Sequence, residues 1–330
     1  MDACPYMLAN SKIGDAPALL RWVPWWHVMG ITDDVGAKTV YESERGKGHL
    51  DWGLMVETLK LVSGLAAKAS SRRDVFEESP WCARSLYEAS KVLRAAASCT
   101  ERIAAASEAA RYAGTRSKGA EVEADWTAGD ERVARVLSEA AREAEAVDVG
   151  GCLVSPVGFR TSSGSQANEG YVGLLVLRRK DNNVFEAIYV HRGRDVDGRR
   201  YHAAKIGDDG EQRHRVLELR DVARHKLAHS ATWFVLWRPL LYGGGPSRTE
   251  ASKRLYESAL SFLTNSLPAQ PVVAPGAHPT SVLDFVNVHD DDSYDDCAAN
   301  LTCSTVAATV LEALKHVTLL LAPRGAVKDV

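Results

Sequence analysis

The chain has 330 residues, of which 45% are hydrophobic and 25% are charged. This balance is typical of a folded globular protein and excludes a disordered or fibrous chain. The formal net charge of -3 excludes a globally basic nucleic-acid-binding protein. Because a single hydrophobic core stops growing at about 250–300 residues, we expect two packed units, residues 1–150 and 151–330, or one unit with an appendage.

The cysteines and the apolar runs indicate the compartment. Six cysteines form no CxxC pair, which favours reduced thiols in an intracellular protein. The first residues lack the basic and apolar regions of a secretory signal, so we expect a cytoplasmic location. The longest apolar run, residues 305–322, is interrupted by Glu312, Lys315 and His316. It falls short of the roughly 20 apolar residues of a membrane span, so we expect no membrane partner.

The N-terminal half predicts helices. Residues 1–50 contain the aromatic group Trp22, Trp25 and Trp26, which we interpret as an anchor onto a core. Residues 51–149 are helical in pattern, and two heptad seams predict an antiparallel hairpin. The seams are Val92, Ala96, Cys99, Ile103, Ala106 and Ala110 on one helix, and Val133, Leu137, Ala140, Ala144 and Val147 on the other. The polar run at 115–130 separates them, with Thr127 or Asp130 as the cap of the second helix.

The C-terminal half predicts strands and then helices. Four β-rich runs with short turns predict an antiparallel meander. They lie at 171–178, 184–191, 200–206 and 215–222. Helices follow at 230–242, at 250–264 and in the last apolar run, where the apolar spacing is helical. The predicted fold class is α+β, with a helical N-terminal part and a small antiparallel sheet flanked by C-terminal helices.

A cysteine next to the last helix is the best candidate for chemistry. Cys303 precedes the periodic run, where the helix dipole and free N–H groups favour a thiolate. His191 or His202 from the sheet would be the general base. The alternative is a buried structural cysteine. Cys297 is the rival nucleophile, but the neighbouring Asp295 and Asp296 would raise its pKa.

Motifs for other chemistry are missing from the sequence. It contains no GxxxxGK[ST], GxGxxG, GxSxG or HExxH, which argues against nucleotide hydrolysis, Rossmann-type redox, α/β-hydrolase and zincin chemistry. The acidic loop at 289–296 lacks the glycine and glutamate of an EF-hand, and we interpret it as a solvated loop. We therefore expect no cofactor and no metal.

Several stretches of the chain carry a resemblance to a known family. They are Tyr201-His202, LELRDV at 217–222, TWFVLW at 232–237, LYESALSFL at 255–263 and LTCST at 301–305. These stretches resemble large uncharacterised proteins of protists and algae with a papain-like thiol hydrolase module, similar to ubiquitin-removing enzymes. The resemblance covers less than half of the chain. It implies a protein substrate and a nucleophile at Cys303, the position of the family's helix-opening cysteine.

The sequence departs from this family at two positions. A glycine-flanked histidine opens the family's first strand, but Tyr171 stands there in this chain. An asparagine closes the second strand in the family, whereas residues 190–193 read VHRG. The resemblance thus implies either a thiol hydrolase that uses His191 or His202 as base, or an inactive module.

Three functions follow, in order of preference. The first is a papain-like thiol hydrolase module acting on peptide or isopeptide bonds. The second is a non-catalytic module that binds a protein partner through the helical hairpin. The third, nucleic-acid binding through the basic region 178–226, is least favoured because aromatic residues do not interleave with its charges.

Overall fold

The computed structural model has the mixed helix-and-sheet architecture that the sequence predicts. It describes residues 52–72, 80–115, 121–161, 170–190, 201, 204–206, 212–214, 217–245, 247–264 and 305–322. The predicted aromatic anchor in residues 1–50 and the acidic loop at 289–296 lie outside these ranges.

Three helices form the N-terminal part. They are α1 (Trp52–Ser70), α2 (Pro80–Thr115) and α3 (Glu121–Ala146). Helix α2 packs against both of the others. The predicted start of α3 at Thr127 or Asp130 is wrong, because the helix begins at Glu121. Residues 121–125 read EVEAD. Their glutamates and alanine have a high helix propensity, so the helix begins before the predicted capping residues.

The predicted seams are the contact faces of α2 and α3. Their inner positions are buried: Ala96, Cys99, Ile103 and Ala106 on α2, and Val133, Leu137, Ala140 and Ala144 on α3. At the edge of this contact the Arg102 guanidinium pairs with Glu139 at 3.3 Å and with Glu143 at 2.5 Å. The hairpin is therefore stabilised by small apolar side chains at the helix contact and by ion pairs at its edge.

A four-stranded antiparallel sheet forms the second half. Its strands are β1 (Cys152–Arg160), β2 (Gly170–Arg179), β3 (Val184–Val190) and β6 (Leu217–Ala223), in the order β1-β2-β3-β6. The β2–β3 turn is fixed by the Asp181 carboxylate, which accepts hydrogen bonds from the N–H groups of Asn183 and Val184. An aspartate that bonds the backbone two residues ahead is a typical turn device.

The predicted meander is wrong in one strand. Within the predicted run at 200–206, β4 (Ala204–Ile206) does not join the sheet but pairs with β5 (Gln212–His214) in a separate two-stranded ribbon. The fourth position is taken by β1, which pairs with β2. Strand β1 contains Pro156 and has no polar alternation because residues 154–160 are all buried. A proline is tolerated there because β1 is an edge strand.

Helices cover both faces of this sheet. Residues 172–177 of β2 are all buried, and successive side chains in a strand point to opposite faces. On one face the indole of Trp237 donates to the Pro156 carbonyl at 3.0 Å and to Ser155 Oγ at 3.2 Å. Trp233 lies beside Trp237 and is also fully buried, as its sequence pattern predicts.

The C-terminal helices follow the sheet closely. They are α4 (Arg224–Leu227), α5 (Ser230–Arg238), a first π-helical segment (Pro239–Gly243), α6 (Arg248–Arg254), a second π-helical segment (Leu255–Leu260), α7 (Ser261–Thr264) and α8 (Thr305–Leu320). The first π-helical segment packs along the outer edge of β1. Beyond it, Gly244 N–H donates to the Arg160 carbonyl at 2.8 Å, so this edge is covered rather than open to another chain.

Helix α8 is the middle layer of the molecule. It contacts β2 and β3, and it also contacts α1 and α2. Every residue from 311 to 320 is buried, so α8 has no solvent-facing stripe along this stretch. Within the described ranges, no helix has the length and apolar character needed to cross a bilayer.

The helical and sheet parts contact each other across Gly150. The Arg179 guanidinium donates to the Val147 carbonyl at 2.6 Å, and Ser107 Oγ donates to the Leu240 carbonyl at 3.4 Å. The buried apolar residues of both parts form one continuous cluster. The division of the chain into two packed units, residues 1–150 and 151–330, stays a prediction.

Candidate functional site

The three predicted site residues, Cys303, His191 and His202, lie outside the described residues. Each nevertheless lies within two residues of a described residue in the sequence. Cys303 stands two residues before the start of α8, His191 follows the last residue of β3, and His202 follows Tyr201.

The helix after Cys303 is the buried middle helix of the fold. Its N-terminal backbone N–H groups have no partner within the helix, and its dipole places partial positive charge at that end. Both effects stabilise an anion, including a thiolate, close to the helix start. An element packed between a sheet and two other helices is also a rigid base for a reactive group.

The segments that lead to the two histidines meet at one group of rings, the tyrosine cluster (Tyr189, Tyr201 and Tyr256). The ring of Tyr201 stacks on Tyr256 with a centroid distance of 4.5 Å and an interplanar angle of 7°. Tyr189 meets Tyr256 edge-on at 5.7 Å and 79°. All three side chains are buried. Each such pair contributes about 0.5–1.5 kcal/mol beyond area burial, so the cluster fixes its three chain segments relative to one another.

A glycine in β2 makes room for the cluster. A Cβ atom on Gly173 would lie 2.7 Å from Cε2 and Oη of Tyr189 and 2.7 Å from the Val190 carbonyl oxygen. Only a residue without a side chain permits this approach of ring and strand. The Tyr189 ring is thus confined between the sheet and Tyr256.

A carboxylate completes the cluster. Tyr201 Oη donates a hydrogen bond of 2.7 Å to Glu257 Oε1, and Lys253 Nζ lies 3.9 Å from the other carboxylate oxygen of Glu257. Tyr256 and Glu257 are consecutive residues of the second π-helical segment, and both reach Tyr201. Single π-helical turns within α-helices occur often at functional sites.

A second polar group lies inside α8. Glu312 Oε1 is 3.1 Å from His316 Nε2, and Glu312 Oε2 is 3.9 Å from Lys315 Nζ. All three residues are buried, and the i, i+3 and i, i+4 spacing places them together on one face of the helix. At a rise of 1.5 Å per residue, Glu312 lies about 10 Å along the helix from Thr305. This buried charged group is therefore remote from the helix start that follows Cys303.

The described cysteines are chemically unlike an activated nucleophile. Burial raises the pKa of Cys82, Cys99 and Cys152 to about 12. All three are free thiols, as the prediction of reduced cysteines requires for them. Their protonated form persists throughout the neutral range, so none of the three is an activated nucleophile.

Sequence reasoning missed the tyrosine cluster and Glu257. The signals were present, because Tyr201 and the stretch at 255–263 both belong to the resemblance. Nothing in the local pattern, however, indicates that these two stretches touch. Among the described residues no group of three or more His, Cys, Asp or Glu side chains could hold a metal ion.

No family model, curated protein or solved structure matches the chain.

Proposed function

We propose that the protein is a papain-like thiol hydrolase that cleaves peptide or isopeptide bonds, with Cys303 as nucleophile and His191 or His202 as general base. The observation that supports the proposal is the position of α8. The helix that starts two residues after Cys303 is the buried middle helix, and it contacts β3, the strand that His191 follows in the sequence. A cysteine before such a helix has the dipole and the rigid base that thiolate chemistry needs.

The proposed reaction has two steps. The imidazole takes the thiol proton, and the Cys303 sulfur attacks the carbonyl carbon of the scissile bond. The C–N bond then breaks, and the imidazolium gives its proton to the leaving amine, which leaves a thioester. In the second step the imidazole takes a proton from water, and the hydroxide attacks the thioester. The acid product departs, and the proton returns to the Cys303 sulfur.

A second function, a non-catalytic protein-binding module, is favoured by one structural observation. Strand β2 begins at Gly170, so Tyr171 occupies the strand-opening position at which the resembling family has its histidine. The exposed side of the helical hairpin would then be the binding surface. It carries both signs of charge on α3, at Glu131, Arg132, Arg135 and Arg142.

Thiol labelling separates the two functions. At pH 6 an ordinary cysteine with a pKa of about 8.5 is only about 0.3% thiolate, and the three buried cysteines are less reactive still. We expect iodoacetamide to label Cys303 in the folded full-length chain at least about tenfold faster than it labels glutathione, because the helix end and a histidine favour the thiolate. Peptide mapping by mass spectrometry after brief exposure gives the rate at each cysteine.

Two matched variants complete the test. Cys303→Ala should abolish cleavage of a fluorogenic ubiquitin amide, whereas Cys297→Ala, which removes the neighbouring thiol, should retain it. His191→Gln and His202→Gln then show which imidazole is the base. A Cys303 that labels no faster than glutathione, in a chain that leaves the amide intact, would reject the hydrolase and favour the binding module.

A further inference from the structure

A stripe of exposed cations runs along the N-terminal half of α2. It consists of Arg84, Lys91 and Arg94, with the ring of Tyr87 between them. The i, i+3, i+7 and i+10 spacing places all four side chains on one side of the helix, and Arg84 and Arg94 lie about 15 Å apart along its axis. Tyr87 is 49% exposed, and the three cations are exposed as well. We refer to these four residues as the basic stripe.

The charge of the basic stripe is only partly neutralised. Lys91 Nζ lies 2.5 Å from Glu88 Oε2 and 5.1 Å from the centre of the Tyr87 ring. Within the described part of the chain, Arg84 and Arg94 pair with no carboxylate. The stripe therefore keeps an excess of positive charge, although the whole chain has a net charge of -3.

Helix α1 adds a fourth cation to this surface. Lys60 Nζ on α1 lies 2.7 Å from Glu101 Oε1 on α2. The residues that connect the two helices, 71–79, span at most about 36 Å, whereas parallel helices in this register would need a connection of about 46 Å. The helices are therefore antiparallel, and Lys68 lies at the level of Arg94. Lys68 is exposed, and it too pairs with no carboxylate among the described residues.

We propose that the basic stripe, together with Lys68, is a docking surface for an acidic polypeptide segment of a partner protein. Its excess positive charge is complementary to a segment rich in Asp and Glu, and exposed Tyr and Arg side chains are the ones enriched at the energetic centres of protein interfaces. The proposal does not depend on the thiol chemistry.

A polypeptide fits this surface better than a nucleic acid does. The Glu88 carboxylate lies within the stripe and would repel a continuous phosphate backbone. The stripe also has one exposed ring, whereas sites for single-stranded nucleic acid combine a basic groove with several rings on which successive bases stack. Nucleic-acid binding is therefore an outcome that the experiment has to exclude.

Fluorescence anisotropy with a labelled dodecaglutamate peptide and the full-length chain tests the proposal. We expect binding that weakens by about fivefold or more between low and physiological salt, because salt screens exposed charges. The double variant Arg84→Gln, Arg94→Gln should weaken it by about tenfold or more, and Tyr87→Ala by about threefold or more. A dodecaglutamine peptide should not bind. Absence of dodecaglutamate binding at low salt would overturn the proposal.

A second pair of arginines is the matched control. Arg135 and Arg142 on α3 are exposed and pair with no described carboxylate, but Glu131 and Glu145 are exposed on the same helix. Arg135→Gln, Arg142→Gln should leave the dissociation constant within about twofold of that of the unaltered protein. Equal weakening by both double variants would show that the peptide responds to total charge and would reject a defined surface. An oligothymidine that binds more tightly than the peptide, and loses its affinity in Arg84→Gln, Arg94→Gln, would assign the surface to nucleic acid instead.

Cross-linking locates the bound peptide in the unaltered protein, without any variant that could misfold. A carbodiimide joins the peptide carboxylates to nearby lysine amines, and mass spectrometry identifies the lysines. Lys68 and Lys91 should be the main sites. Lys180 and Lys253, whose side chains are 52% and 54% exposed against 54% for Lys91, control for accessibility. Cross-links that favour Lys180 or Lys253 would overturn the proposal.

Discussion

At the scale of single residues, the close approach of a ring to a strand explains why glycine is required at position 173. Gly173 lies in the middle of β2, where glycine weakens a strand because it has no side chain to pack. It is required there because the Tyr189 ring occupies the space that a Cβ would fill. The same ring makes the contact with Tyr256, so the glycine supports the tyrosine cluster.

Gly173→Ala should therefore destabilise the protein. The added methyl would meet ring and backbone atoms at 2.7 Å, and overpacking of this kind costs about 1–3 kcal/mol of unfolding free energy. Gly64→Ala is the control, because a Cβ on Gly64 in helix α1 meets nothing within 4 Å and should stabilise by about 0.5–1 kcal/mol. Urea titration of both variants measures the difference. A neutral Gly173→Ala would show that Tyr189 moves easily away from the strand.

At the scale of elements, the local sequence pattern predicted the features that depend on contacts between residues close together in the chain. The seam of α2 repeats every three or four residues, and its inner positions are the buried ones. Strand β1 was missed because its burial on both faces removes the alternation that identifies a strand. The apolar spacing of the last run predicted the helix that α8 forms. The tyrosine cluster joins residues far apart in the chain, for which no local pattern exists. The place of Cys303 just before a helix, by contrast, follows from the helical spacing of the residues after it.

The charged group in α8 predicts unequal effects of single and double substitution. Lys315→Met leaves Glu312 buried with one opposite charge fewer, and removal of one partner of a buried pair costs about 3–5 kcal/mol. Glu312→Met removes an opposite charge from the buried Lys315 in the same way. The double variant removes both charges from the core, so its loss of unfolding free energy should be smaller than the sum of the two single losses. Chemical denaturation of the four proteins gives this coupling, and additive losses would show that the two side chains do not interact.

At the scale of the whole molecule, α2 connects the two halves of the chain. It packs against α1 and α3, and also against β1 and α8. Helix α8, from the far end of the sequence, lies between the sheet and the N-terminal helices. A division of the chain at Gly150 therefore separates helical from extended sequence, but it passes through one continuous apolar cluster. This arrangement predicts that the helices and the sheet depend on each other for stability.

Ile103→Asp tests that dependence. Ile103 is fully buried in α2, and an unpaired carboxylate there costs more than about 4 kcal/mol, enough to unfold many domains. Because α2 also packs against β1 and α8, we expect amide protection to be lost together in peptides from α2, α3, β2 and β3, as measured by hydrogen exchange with mass spectrometry. Ala105→Asp, at an exposed position two residues away, should leave protection unchanged. Persistent protection of β2 and β3 beside unprotected helices would show that residues 151–330 fold as a separate unit.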